Sequence, residues 1–339
     1  MSSIITAVRH YEPKKIITNE NIVQEYEKRW FLWDGKNQYT KDHIIKILEK
    51  VGIQERRWVS EKEDTRTMAT QSVIFLAKKY WKQILENIDE IIVGTYTSWN
   101  NLPSLAALVS EDINKYLNRQ NSPSTIDISN ACPSWLTAMM IADRSIRSGD
   151  IKKALVIGAD ATSKLYLWSD SLMLFGDAAG AMIMESFDGS SYGIQWTVSK
   201  TFPEHAKELY YINPLAANNE VLPRDTFMMN GQKVFNIWIS TVSNMIQEYI
   251  TDKELQITDF SYIIPHQANK RMLDQIWHKI WYDNEKILKT IAENGNTSSA
   301  SPLLTLSKHQ DKLQDWDRIL LLSLWAWFNV TLIDIIWKL

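Results

Sequence analysis

The chain holds a single cysteine, Cys132, inside Asp127-Ile-Ser-Asn-Ala-Cys-Pro-Ser-Trp-Leu-Thr137. A β-type run ending in small residues passes there directly into a helical pattern that starts beside the thiol. A helix so placed aims free backbone N–H groups and its positive end at the sulfur, which lowers a thiol pKa and makes a nucleophile. Lone cysteines are more often inert buried residues, so position alone does not establish reactivity. Two later segments carry groups that could work with the thiol. In Ile263-Ile-Pro-His-Gln-Ala-Asn269, His266 follows an apolar strand end and precedes a helix. In Glu293-Asn-Gly-Asn-Thr-Ser-Ser-Ala-Ser-Pro302, the glycine before Asn296 allows a sharp turn of the backbone. Thiol, imidazole and carboxamide in that chain order suit attack on a carbonyl carbon, whether in an acyltransferase or in a cysteine protease. His10, His43, His205, His278 and His309 lack metal-ligand spacing and read as surface or structural residues, so no metal site is expected.

Groups this far apart in sequence need a regular scaffold to bring them together. Strands are predicted at 3–8, 90–97, 124–128, 153–158, 179–185, 261–265, 289–293, 318–323 and 329–336. Helices are predicted at 67–85, 103–119, 135–148, 233–250, 270–280 and 302–313, with Gly149 and Gly189 as stops. The alternation predicts an α/β architecture. A less regular segment, 191–225, separates an N-terminal half, 1–190, carrying Cys132 from a C-terminal half, 226–339, carrying His266 and Asn296. Both halves follow one plan of strand, helix, strand, helix and paired strands, which points to duplication by order rather than by shared motifs. The run Gly176-Asp-Ala-Ala-Gly-Ala181 lacks the lysine and helix order of a phosphate loop, and its small residues predict close packing of a strand against the site.

Bulk properties set the class. A length of 339 residues suits one large or two fused domains with an ample core. A net charge of −3 argues against a general nucleic-acid binder. One cysteine cannot close an internal disulfide, which fits a reducing compartment and makes the cytoplasm the expected location. No apolar run reaches the roughly 18 residues of a membrane span, and the first residues read as a strand rather than a signal peptide.

Five segments, Asn130-Ala-Cys132, Leu174-Phe-Gly-Asp-Ala-Ala-Gly-Ala181, Met229-Asn-Gly-Gln-Lys-Val-Phe235, Pro265-His-Gln-Ala-Asn269 and Asn294-Gly-Asn-Thr-Ser-Ser-Ala-Ser301, carry a specific resemblance. In order and through nearly the whole chain, the set resembles the β-ketoacyl-acyl-carrier-protein synthase III family. The resemblance implies a thiolase-like, duplicated five-layer α/β/α/β/α sandwich and a homodimer. It also implies that Cys132 takes an acyl group from acyl-CoA, while the backbone N–H groups of Cys132 and Ala326 hold the developing oxyanion. His266 and Asn296 would assist loss of carbon dioxide from malonyl-acyl carrier protein, giving a β-ketoacyl product in fatty-acid initiation. Coenzyme A enters only as the substrate thioester, and no further cofactor is implied. Lys270 and Arg271 would face the acidic carrier protein, and Thr95-Tyr-Thr-Ser-Trp-Asn-Asn-Leu-Pro-Ser104 resembles the family's dimer-contact and acyl-pocket region. Within the fold, a polyketide-type or hydroxymethylglutaryl-type synthase is the alternative; outside catalysis, it is a homologue that binds the acyl carrier without turnover.

One compositional feature stands apart. The chain has 15 Trp against 11 Gly, although glycine usually makes up about 7% of residues. Trp135, Trp281, Trp316, Trp325 and Trp327 fall where turns, helix ends or close backbone approach favour glycine. This pattern is expected of a gene in which the opal codon specifies glycine but has been read as tryptophan, and plain enrichment in tryptophan is the alternative.

Overall fold

Unbroken apolar runs such as Ile91-Ile-Val93 and Ile319-Leu-Leu-Leu322 suit strands covered on both faces, and the chain builds two such sheets. A computed structural model describes residues 2–29, 40–100, 102–165, 170–211, 227–325 and 329–338. The chain begins with β1 (Ser2–Tyr11), β2 (Lys15–Thr18), α1 (Asn19–Arg29), α2 (Lys41–Val51), β3 (Glu55–Trp58) and α3 (Thr65–Tyr80). It continues through β4 (Glu90–Gly94), α4 (Leu105–Leu117), β5 (Ser124–Ile128), α5 (Ser134–Ser148), β6 (Lys153–Asp160), α6 (Thr162–Leu165) and β7 (Ala178–Phe187). Next come β8 (Gly193–Thr201), β9 (Leu209–Tyr211), β10 (Phe227–Met229), α7 (Gly231–Asp252), β11 (Tyr262–Pro265) and α8 (Lys270–Lys279). The last elements are α9 (Ile291–Asn294), α10 (Ser301–His309), β12 (Arg318–Trp325) and β13 (Asn329–Ile336).

The first sheet has the order β1-β7-β6-β4-β5 and the second β11-β12-β13-β8. Their pairings correspond. In the first, β1 and β6 lie antiparallel to β7, and β4 lies parallel to β6 and β5. In the second, β8 and β12 lie antiparallel to β13, and β11 lies parallel to β12. A parallel bridge between Ile263 and Ile287 stands where β5 stands in the first sheet. The halves are therefore copies of one plan, and the strand expected at 289–293 is a helical turn, α9, beyond that single bridge.

Alternation along the strands fixes the layers. Ile91 and Val93 point outward onto Met68, Val73 and Leu76 of α3 and Val109 of α4. Ile92 points inward, where Leu136 and Met139 of α5 and Leu303 and Leu306 of α10 meet Ile319 and Leu321 of the second sheet. Leu320 and Leu322 face outward again, onto Val242 and Ile246 of α7 and Leu273 and Ile276 of α8. The result is the α/β/α/β/α sandwich expected from the resemblance. Within the segment 191–225, read as irregular, Gly193–Thr201 instead forms the edge strand β8; its outer half is polar and exposed, so its periodicity is weak.

The helices between the sheets must come very close to the strands. A Cβ on Gly94 would lie 2.5 Å from the Ser134 carbonyl carbon, and one on Gly158 would lie 3.0 Å from Trp135 Cβ. Trp135 is consequently inside α5 and fully buried, not in a tight turn as expected. Trp281 and Trp316 do take positive φ, 57° and 73°. Trp325 ends β12, and Trp327 lies outside the described residues. Because the first turn of α5 rests directly on Gly94, Gly94→Ala is expected to cost about 1–3 kcal/mol, read as a lower midpoint of urea unfolding.

Candidate active site

Cys132 follows β5 at the carboxyl end of the first sheet, the end at which open α/β sheets bind ligands. Asp127 holds the start of α4 by accepting from the Leu105 and Ala106 N–H groups at 2.6 and 2.8 Å. Ala131 then adopts a left-handed φ of 48°, and the Ser134 hydroxyl donates to its carbonyl at 2.6 Å while accepting from Asn130 N at 2.7 Å. This tight turn presents the thiol two residues before α5 begins. The sulfur is wholly buried, and the expectation of a lowered pKa is reversed: burial pushes the thiol well above its usual range, the Ser298 hydroxyl opposes this, and the Asp160 charge adds to it. In a dry site, lost hydration outweighs the helix dipole.

His266 closes β11, with its N–H donating to Leu322 O at 2.7 Å. The neighbours in its motif explain the placement. Gln267 donates to Pro265 O at 2.7 Å and accepts from Thr290 N at 3.0 Å, while Asn269 caps α8 by accepting from Met272 N at 2.7 Å. The imidazole is fully buried and its pKa is driven down to about 3 by desolvation, against a hydrogen bond with the Ser298 backbone. At neutral pH it is uncharged.

Asn296 is delivered by α9 and by Gly295, whose φ is 61°. Its backbone is clasped on both sides: Asn296 N donates to Leu174 O at 2.9 Å, and Gly176 N donates to Asn296 O at 3.0 Å. A Cβ at 176 would lie 2.1 Å from Asn294 O, so the first glycine of the Gly-Asp-Ala-Ala-Gly-Ala run is required by this clasp. Asp177 anchors the same run, accepting from Val59 N and Ser163 N at 2.8 Å; burial lifts its carboxyl to about 6. The Asn296 side chain accepts from Ser298 N at 2.9 Å through Oδ1, which leaves its NH2 group as the donor the site can use.

Ser298 ties these pieces together. Its φ is 53°, its N–H meets Asn296, its backbone meets His266, and its hydroxyl lies 3.4 Å from Cys132 Sγ. Thiol, imidazole and carboxamide thus converge on one residue within the buried core. Sequence reasoning overlooked Ser298 and Asp160; the only available signal was the unusual run of small hydroxyl residues after Asn296. Lys270 and Arg271 lie apart from this cluster on the exposed start of α8, with Lys270 2.6 Å from Asp274 and Arg271 over the Phe235 ring. Ala326 lies outside the described residues. Among the described residues no group of three His, Cys, Asp or Glu side chains is placed to hold a metal, and no helix is long and apolar enough to cross a membrane.

Two copies of one α/β plan, meeting at their strand ends over a buried thiol, define a thiolase-like condensing acyltransferase. The model for 3-oxoacyl-[acyl-carrier-protein] synthase III matches residues 126–201, and the model for its C-terminal part matches residues 250–326. A β-ketoacyl-[acyl-carrier-protein] synthase III of Streptococcus pneumoniae (strain Hungary19A-6) is 30% identical over 310 residues, covering 90% of this chain and 88% of its own. The crystal structure of the Thermus thermophilus synthase III aligns with a TM-score of 0.83 at 27% identity over 99% of each chain. That of the Aquifex aeolicus VF5 enzyme aligns with a TM-score of 0.81 at 26% identity, covering 99% of this chain and 100% of that one. The chain belongs to the β-ketoacyl-[acyl-carrier-protein] synthase III family.

The buried imidazole sets a pH dependence. Its folded pKa, about 3, lies below the unfolded value of 6.5, so between these values the unfolded chain binds the extra proton. Its contribution to stability is complete above pH 6.5 and is lost as pH falls towards 3, by at most about 1.4 kcal/mol per pH unit. Urea midpoints measured from pH 7 to pH 5 are expected to fall more steeply for the wild type than for His266→Gln.

Proposed function

We propose that this protein condenses an acyl group from acyl-CoA with malonyl-acyl carrier protein, through a thioester on Cys132, to give a β-ketoacyl-acyl carrier protein that initiates fatty-acid synthesis. The observation that carries this reading is the convergence of Cys132, His266 and Asn296 on Ser298 in a site shielded from water, where Cys132 and His266 are 0% exposed and Asn296 is 2% exposed. The family supports the reaction class, and the residue roles follow from the chemistry of each group.

In the first half-reaction the Cys132 sulfur attacks the acyl-CoA carbonyl, the C–S bond to coenzyme A breaks, and the thiol proton ends on the departing coenzyme A sulfur, which leaves as the thiol. The backbone N–H of Cys132, with Ala326 as its expected partner, holds the transient oxyanion. In the second, malonyl-acyl carrier protein loses carbon dioxide. The electron pair of the broken C–C bond moves onto the thioester oxygen, where His266 and the Asn296 NH2 group donate hydrogen bonds. The enolate carbon then attacks the Cys132 thioester, the C–S bond breaks, and the released thiolate takes up a proton from solvent. Lys270 and Arg271 offer positive charge to the acidic carrier. The exposed tip bearing Trp99 and Leu102 suits burial against a second copy of the chain in a homodimer. Coenzyme A serves as substrate rather than resident cofactor, and a reducing compartment, the cytoplasm, suits the single free thiol.

Incubation with radiolabelled acetyl-CoA, followed by malonyl-acyl carrier protein, tests the proposal. Wild-type protein is expected to label the Cys132 peptide and then release labelled β-ketoacyl product, and Cys132→Ala is expected to take no label. His266→Ala is expected to acquire label but to slow carbon dioxide release by about 10²–10³-fold. Binding of acetyl-CoA without labelling at Cys132 would instead mark a scaffold that does not turn over.

A further inference from the structure

Asp160 is a buried carboxylate at the end of β6 to which the mechanism above assigns no part. One oxygen accepts from Thr95 Oγ1 at 3.0 Å, from Tyr96 N at 3.1 Å and from Thr97 Oγ1 at 3.1 Å. The other accepts from Ser299 N at 3.0 Å and from Ser299 Oγ at 2.5 Å. These partners belong to different halves: 95–97 follows β4 of the first sheet, while Ser299 follows Asn296 and Ser298 in the second. Resting on the function proposed above, we propose that Asp160 is a positioning residue, holding the 296–299 turn so that Asn296 and His266 meet the malonyl thioester beside Cys132. A carboxylate accepts on both sides, whereas an amide must turn an NH2 group towards one set of donors and release it. The turn then slips against His266 and Asn296, while the Cys132 turn keeps its own fastenings at Ser134.

The two half-reactions separate this role from a merely structural one. In Asp160→Asn, carbon dioxide release from malonyl-acyl carrier protein is expected to fall about 10–100-fold, while single-turnover acylation of Cys132 by acetyl-CoA stays within about threefold. Ser299→Ala, which keeps the carboxylate but removes one of its donors, is expected to shift the same ratio in the same direction by less. Equal loss of both half-reactions, or loss of neither, in either variant overturns the positioning role. If wild-type Cys132 takes no acyl group, the proposed function itself fails, and the two failures are distinct.

A separate observation concerns tryptophan. Trp81 has φ 70° and ψ 155°, in a region populated essentially by glycine alone, and Trp281 and Trp316 have φ of 57° and 73°. Their side chains are 78%, 87% and 57% exposed, so burial does not offset the backbone strain. Trp316 lies near Tyr192 and Trp281 near His278, yet neither ring contact calls for a left-handed backbone. Trp81 and Trp281 follow the ends of α3 and α8, and Trp316 sits in the turn before β12, places where glycine is the usual residue. We infer that glycine is the native residue at 81, 281 and 316, encoded by opal codons. Mass spectrometry of tryptic peptides from protein purified from its own cells is expected to show each lighter by one indolylmethyl group; tryptophan at these positions overturns the inference. In the tryptophan-bearing chain, W81G, W281G and W316G are each expected to raise Tm by about 2 °C, and a lowered Tm in all three overturns the assignment.

Discussion

The backbone clasp around Asn296 is the constraint on which the site depends. Leu174 and Gly176 of the first half hold both the N–H and the carbonyl of Asn296 in the second, so a carboxamide far along the chain is fixed relative to Cys132. Hydrogen bonds of this kind tolerate little slack, and the 2.1 Å approach that a side chain at 176 would create leaves no alternative to glycine. Asp177 then ties the same strand entry to Val59 and Ser163, so the clasp is itself held from behind. Chemistry at the centre inherits its accuracy from main-chain geometry.

Burial decides the electrostatic character of this centre. The site keeps a neutral thiol beside a neutral imidazole, because each would lose more hydration by ionising than its neighbours return. A substrate carbonyl polarised there would meet hydrogen-bond donors already in place, which need not reorganise. A permanently ionised pair would hold its own charge equally in the ground state and would gain less at the transition state.

Much of this was legible in the sequence. Ile91-Ile-Val93 and Ile319-Leu-Leu-Leu322 announce doubly covered strands, and the predicted runs at 124–128 and 329–336 coincide with β5 and β13. The residues of the candidate site were legible because Cys132, His266 and Asn296 each sit at a change from one element to the next. What was hidden has physical reasons. The strands β2 and β3 are short and carry charge, so no alternation marks them, and β8 is an edge strand with an exposed outer half. The thiol's protonation could not be read because the helix end is local, whereas desolvation depends on residues from both halves. Ser298 and Asp160 were missed because their parts depend on tertiary neighbours rather than on spacing.

The matching sheets carry a consequence for how such a protein came to exist. Cys132 follows β5, and Asn296 follows the Ile287 bridge that stands in the place of β5 in the second copy. Likewise, the threonine loop after β4 and His266 after β11 occupy corresponding strand ends. Symmetry would furnish two identical mouths, whereas this chain has placed the thiol in one repeat and the imidazole and carboxamide in the other. Specialisation of that sort is closed to a pair of identical single repeats, since paired products of one undivided gene cannot diverge at matching positions.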